Sequence, residues 1–239
     1  MAISANLIRR PSDRAIVMTL AAMFPLVVFV GYFKTYYLKT LFDVPSIANN
    51  LVHVHALVMT AWVIYFVVQV ALVRTKNLKL HMTIGMAGVA LAALVIIVGA
   101  ATAYDSQLVR NTAPPGSVPH EFFIIPMADL LMFAIFFGGA IYLRKRPAEH
   151  KSLMMLTAIN FMPPALARMP FVVPESSVIF AGIVGTGIGL MLIAWHTWKH
   201  RKLNVVFASG FVLLIASVPV RIVISHTATW HRFTAWLAP

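Results

Sequence analysis

Seven stretches of this chain are each long and apolar enough to cross a bilayer: 15–35, 52–73, 82–103, 121–143, 152–172, 177–197 and 203–225. A helix needs about 20 apolar residues to traverse the hydrocarbon. Within that layer every backbone polar group must be satisfied internally, which a helix does and an isolated strand does not. The pattern therefore predicts an all-α, polytopic membrane protein, a single transmembrane bundle over 1–239. Composition agrees, with 60% hydrophobic and 11% charged residues, where a soluble domain carries about 25% charged. The basic start, Arg9, Arg10 and Arg14, followed by an apolar run resembles a signal peptide. The run is too long and no small-residue cleavage site follows, so it reads as a retained first helix.

The basic residues fall in clusters between these runs. Arg9, Arg10 and Arg14 precede the first; Arg74, Lys76 and Lys79 follow the second; Arg144, Lys145, Arg146 and Lys151 follow the fourth; Lys199, Arg201 and Lys202 follow the sixth. With seven crossings all four clusters share one side, and the scattered remainder (Lys34, Lys39, Arg110, Arg168, Arg221, Arg232) does not. The rich side is expected to be the cytoplasm, with the amino terminus inside and the carboxyl terminus outside, in a bacterial inner membrane. The formal charge of +12 thus marks orientation and not a nucleic-acid surface, because it forms no single face or tail. The three inner turns each carry a histidine, His81, His150 and His200, which suggests either a degenerate two-helix repeat or simply three similar basic turns.

Cysteine is absent, so thiolate metal sites, iron–sulfur clusters and disulfides are excluded. The seventh run has no lysine, which excludes a retinal Schiff base. What remains is imidazole: nine histidines against seven carboxylates. His53, His55, His120, His226 and His231 are expected near the outer surface, and His81, His150, His196 and His200 near the inner one. Neutral imidazole ligates haem iron, copper or zinc. His53 and His55 lie about 200° apart round a regular helix, so only one can face a site within the bundle. His81 shares a helix face with Gly85 and Gly88. That face offers either room for a flat macrocycle or ordinary small-residue helix packing. His196 and His200 are spaced for chelation, but beside Trp195 and Trp198 they read better as an interfacial belt.

The stretch His55-Ala-Leu-Val-Met59, Lys76-Asn77, Leu80-His81 and Gly85 resembles the core of the ascorbate-reducible transmembrane b-type cytochromes. The resemblance implies two haems, one towards each membrane face. Ligands then come from helices two and four for one haem, and three and five for the other. It pairs His55 with His120 and His81 with His150. Along its length the chain is also similar to a group of bacterial integral membrane proteins without an assigned activity. They share a His-x-His opening a helix, as in His53 to His55; a basic turn leading to Leu80-His81; and a His-Lys-x-Leu-Met turn, as in His150 to Met154.

The fourth run adds His120, Glu121 and Asp129, the last about 12 Å below Glu121 on an ideal helix. A carboxylate at that depth needs a partner or a proton. Arg168 is the preferred partner over Arg221, as a staple between helices or as a proton relay. In the fifth run Pro163 and Pro164 are expected to break the helix beside Asn160, freeing the carbonyls of Ile159 and Asn160.

Three functions follow as expectations. The first is a redox protein of the lipid bilayer binding haem b through His55, His81, His120 and His150 with space at Gly85, exchanging electrons with a quinone or another redox partner. The second is a zinc- or copper-dependent hydrolase or oxidase with an outward site drawn from His53, His55, His120, Glu121 and His226. The third is a proton-coupled transporter or sensor using Asp129 and Arg168.

Overall fold

A computed structural model describes residues 14–239, all in helices and connecting turns. Arg9 and Arg10, part of the first basic cluster, lie outside the described residues. Helix α1 spans Arg14–Tyr32, α2 Asn50–Arg74, α3 Leu78–Tyr104, α4 Pro119–Phe122, α5 Ile124–Tyr142, α6 Pro147–Asn160, α7 Pro163–Leu166, α8 Ser177–His200, α9 Val205–Ser225 and α10 Ala228–Leu237. Wider π turns, Phe33–Tyr37 and Asp105–Val109, prolong α1 and α3. Among the described residues, six helices are long and apolar enough to cross a membrane.

The fifth apolar run is the exception. Its helix stops at Asn160 because Pro163 has no N–H to give Ile159 and its ring crowds that carbonyl. The chain tightens instead: Phe161 N–H donates to Ala158 O and Met162 N–H to Ile159 O, both at 3.2 Å. The Ile159 carbonyl is thus satisfied and not freed, correcting the sequence expectation. Pro163 then opens α7 at the one helical position where a missing donor costs nothing. The fourth run is also in two pieces, α4 and α5, meeting at Phe123. Helix α10 has no counterpart among the expected helices.

The chain is buried on every side from Met155 in α6 to Met162, two residues beyond its end. With α7, α6 contacts α1, α5, α8 and α9. Around it, neighbours touch in the order α1, α2, α3, α5, α9, α8 and back to α1. Helix α1 turns one stripe inward, Ile16, Leu20, Phe24, Val27 and Gly31, at spacings of three and four. Trp62 of α2 meets Phe133 edge-on at 4.8 Å, and Phe133 meets Phe161 at 4.8 Å. Edge-to-face geometry is what the ring quadrupole favours. Leu57, Ile97, Ile183 and Val223 all point outward, more than half exposed. Lipid tails accept such a surface, and helix association within them rests on close packing.

The described residues of the basic clusters gather at one end of this bundle. Ile16, Lys151, His196 and Asn204 line one small cavity of about 10 Å³, which brings the starts of α1, α6 and α9 and the end of α8 together. Asn204 Nδ2 donates to Ser152 Oγ at 2.8 Å. His81 at the start of α3 meets His150 at the start of α6. The far end is tied by its own set of bonds. Asn49 Nδ2 donates to Asp105 Oδ2 at 3.0 Å. Tyr104 Oη donates to Leu237 O at 3.0 Å.

Candidate metal centre

The far end holds the densest group of ligating side chains. Pro119 starts α4 and sets His120 and Glu121 in its single turn. On the other side, α9 ends at Ser225, His226 caps it, and the Thr227 hydroxyl accepts the Trp230 N–H to start α10. That reversal carries His231 back over α4. One ligand atom each from His120, Glu121 and His231 lies within 4.8 Å of the others, the single such triad among the described residues. The His120 and His231 rings are 4.9 Å apart and almost perpendicular. His231 Nε2 is 3.4 Å from Glu121 Oε1, and His226 Nε2 is 3.5 Å from Oε2.

Outer hydrogen bonds orient these rings. His226 Nδ1 lies 2.7 Å from Ile222 O. A carbonyl only accepts, so Nδ1 carries the proton and Nε2 presents its lone pair towards Glu121. His231 Nε2 lies 3.0 Å from Ser225 O and 3.4 Å from Glu121 Oε1, both acceptors, so Nε2 carries the proton and the lone pair is on Nδ1. Trp230 Nε1 donates to His120 O at 2.9 Å, joining α10 to α4. Ligands about 2.0–2.1 Å from a tetrahedral ion are roughly 3.4 Å apart, so closing this group on a metal draws its atoms in from separations of up to 4.8 Å and has His231 present Nδ1 or give up its bond to Ser225 O. Imidazoles with one carboxylate suit zinc or copper. Glu121 is 23% and His226 64% exposed, so the site stays open to solvent.

Other expected site residues fall elsewhere. His53 turns to Tyr36, whose hydroxyl is 3.4 Å from Nδ1, and is not in the triad. His55 is half-buried, within electrostatic reach of Arg168. The expected Asp129–Arg168 pair is not formed. Arg221 Nη1 bonds Asp129 Oδ1 at 2.5 Å, and its Nη2 donates to Ser217 Oγ at 3.0 Å. The helix break is the reason. Arg168 follows a single turn of α7 and swings to α1, stacking 5.2 Å from the Tyr32 ring centre and donating to Pro164 O at 2.7 Å. Arg221 is on α9, which packs directly on α5.

His81 and His150, expected as a ligand pair, do meet: their ring centres are 6.4 Å apart. His150 Nδ1 lies 2.8 Å from Ala140 O, leaving Nε2 with its lone pair, and His81 Nδ1 is buried without a hydrogen-bond partner. A Cβ on Gly85 would meet nothing within 4 Å. Gly88 is different, because the Tyr65 ring fills the space beside it and its hydroxyl reaches Ile84 O and Gly85 O at 3.3 Å. His196 and His200 stack at 4.4 Å.

His231 was expected near the outer surface but not among the ligands. One signal was in the chain: Thr227 is an N-cap residue and marks the start of a further short helix that carries His231. No family model, no curated protein and no solved structure matches this chain.

Proposed function

We propose that this chain is a multi-pass protein of a bacterial cytoplasmic membrane that carries a zinc-dependent hydrolytic centre on its outer face. The observation that carries the metal reading is the convergence of His120, Glu121 and His231 within 4.8 Å, with His226 Nε2 aimed at the same carboxylate. The gathering of the basic clusters at the other end supports placing this centre outside. Helices α6 and α7 follow α1 from the cavity that Ile16 shares with Met155 to the contact of Gly31 with Ala165, which supports a seventh, broken crossing. Bound zinc supplies a water acidified to near neutrality and a Lewis acid. Two or three protein ligands leave a coordination position for substrate. His226, solvent-exposed beside Glu121, is placed to hold or pass a proton.

Purified protein equilibrated with zinc and desalted is expected to retain one zinc per chain. Glu121→Ala and His231→Ala should each abolish retention, while His53→Ala should not. Equal zinc in all four proteins would sink the reading. Stoichiometric copper in place of zinc would redirect it from hydrolysis to oxidation.

A second reading has its own observation. Two imidazoles on opposite faces of one iron place their ring centres roughly 6 Å apart, and His81 and His150 are at 6.4 Å. They would hold b-type haem at the basic end, for electron transfer with a quinol or another redox partner. Haem supplementation should then give a Soret band that vanishes in His81→Ala and in His150→Ala but persists in His120→Ala. No band in the parent protein removes this reading.

A further inference from the structure

Helix α10 has ten residues, about 15 Å, too short to cross a bilayer. It starts three residues after α9, a helix of membrane-crossing length, so it begins at the level where α9 leaves the hydrocarbon. Its inward face is polar and tied down. Thr234 is buried, His231 faces Glu121, and Trp230 donates to His120 O. Its outward face is aromatic. Phe233 and Trp236, with ring centres 6.3 Å apart, are 43% and 78% exposed, and Trp230, 5.4 Å from Phe233, joins this row at the boundary with the inward face. Arg232 is the one permanently charged residue in the helix.

An uncharged aromatic row on a short helix at the end of a spanning helix has the composition and the position of the interfacial belt. We infer that the outward face of α10 docks in the headgroup–acyl boundary of the outer leaflet, and that this docking holds His231 over Glu121. The occupant is phospholipid in general, since the face has too little charge to select anionic headgroups. Metal affinity is thereby coupled to the bilayer: the bonds from Trp230 and Tyr104 hold the inward side of α10, lipid holds its outward side, and a centre completed by this helix is weaker when one of the two supports is lost. The coupling rests on the metal reading of the site, whereas the docking does not.

The full chain is reconstituted in phosphatidylcholine vesicles with bromine at shallow or deep acyl positions. Trp236 emission is read as the difference between the parent protein and Trp236→Phe. Shallow bromine should quench it more than deep bromine, and aqueous iodide only partly. Full quenching by iodide with none by bromine would overturn the docking. So would shielding from both, the result expected if a second copy covers the face.

Zinc affinity is then compared between the parent protein and Phe233→Ser/Trp236→Ser in the same vesicles. The double variant should bind roughly tenfold more weakly, the scale of losing an outer-shell support, and Trp236→Tyr should restore affinity. Unchanged affinity overturns the coupling alone. A parent protein that binds no zinc overturns the coupling together with the metal reading, and the bromine profile still decides the docking.

Discussion

Arg221→Leu is expected to destabilise the folded bundle by about 3–5 kcal/mol, the cost of removing one partner of a buried ion pair. Arg221 is 6% exposed, and its guanidinium bridges Asp129 of α5 and Ser217 of α9. Without it the Asp129 carboxylate would face an apolar surrounding with no counter-charge. The Asp129 carbonyl also accepts from Asn160 Nδ2 at 2.9 Å, so the strain would reach the end of α6. The double variant Asp129→Leu/Arg221→Leu should recover most of the loss, because neither charge is then left alone. Thermal unfolding of the four proteins in one detergent completes the cycle. Recovery in the double variant identifies the pair as a staple between α5 and α9. A double variant as unstable as Arg221→Leu would show that the pair specifies the packing and does more than cancel itself. Single variants no less stable than the parent would refute the account.

The same pair shows where sequence reading stopped. That Asp129 needed a cationic partner was legible, because a carboxylate eight residues into an apolar helix has no other inexpensive solution. Which arginine it took was not. Linear distance along an unbroken fifth helix put Arg168 at a suitable level, and the break that turns Arg168 to Tyr32 changes its direction, which periodicity does not encode. The helix stops themselves were legible where one residue type causes them, as Pro163 does. The His120–Glu121 pair was legible as adjacent polar residues at a helix start. His231 was less so: its one cue was Thr227 as the cap of a further helix, and at ten residues α10 falls short of the apolar length by which crossings are read. Pairing His81 with His150 as ligands came from resemblance; the structure shows the two ring centres 6.4 Å apart. Their approach depends on α3 and α6 both beginning at the basic end, a consequence of the hairpin connectivity. The metal and haem readings thus use different histidines at opposite ends of the bundle, and variants at one end leave the other's test intact.

Gly31→Val is expected to be about as damaging, and for a reason with no charge in it. Gly31 closes the inward stripe of α1 against α7, and a Cβ there would lie 2.8 Å from the Ala165 carbonyl carbon and 2.9 Å from its Cα. Those are backbone atoms, so no side-chain rotation relieves the clash. Ala165 itself is fully buried beside Leu166, against α8. Either α1 moves out or the short α7 turn is displaced, and both open the packing between α1 and α8. Overpacking of this kind costs about 1–3 kcal/mol, and backbone-on-backbone contact belongs at the upper end. Gly182→Ala is the opposing control, since a Cβ there meets nothing within 4 Å. It should be neutral or stabilising by up to roughly 1 kcal/mol through helix propensity. Gly88→Ala should fall between them, because what it meets is the movable Tyr65 ring. The ranking Gly31, Gly88, Gly182 in midpoint temperature tests the contact itself. If Gly31→Val unfolds no earlier than Gly182→Ala, α1 and α7 do not touch as described, and the case for a broken crossing running alongside α1 fails.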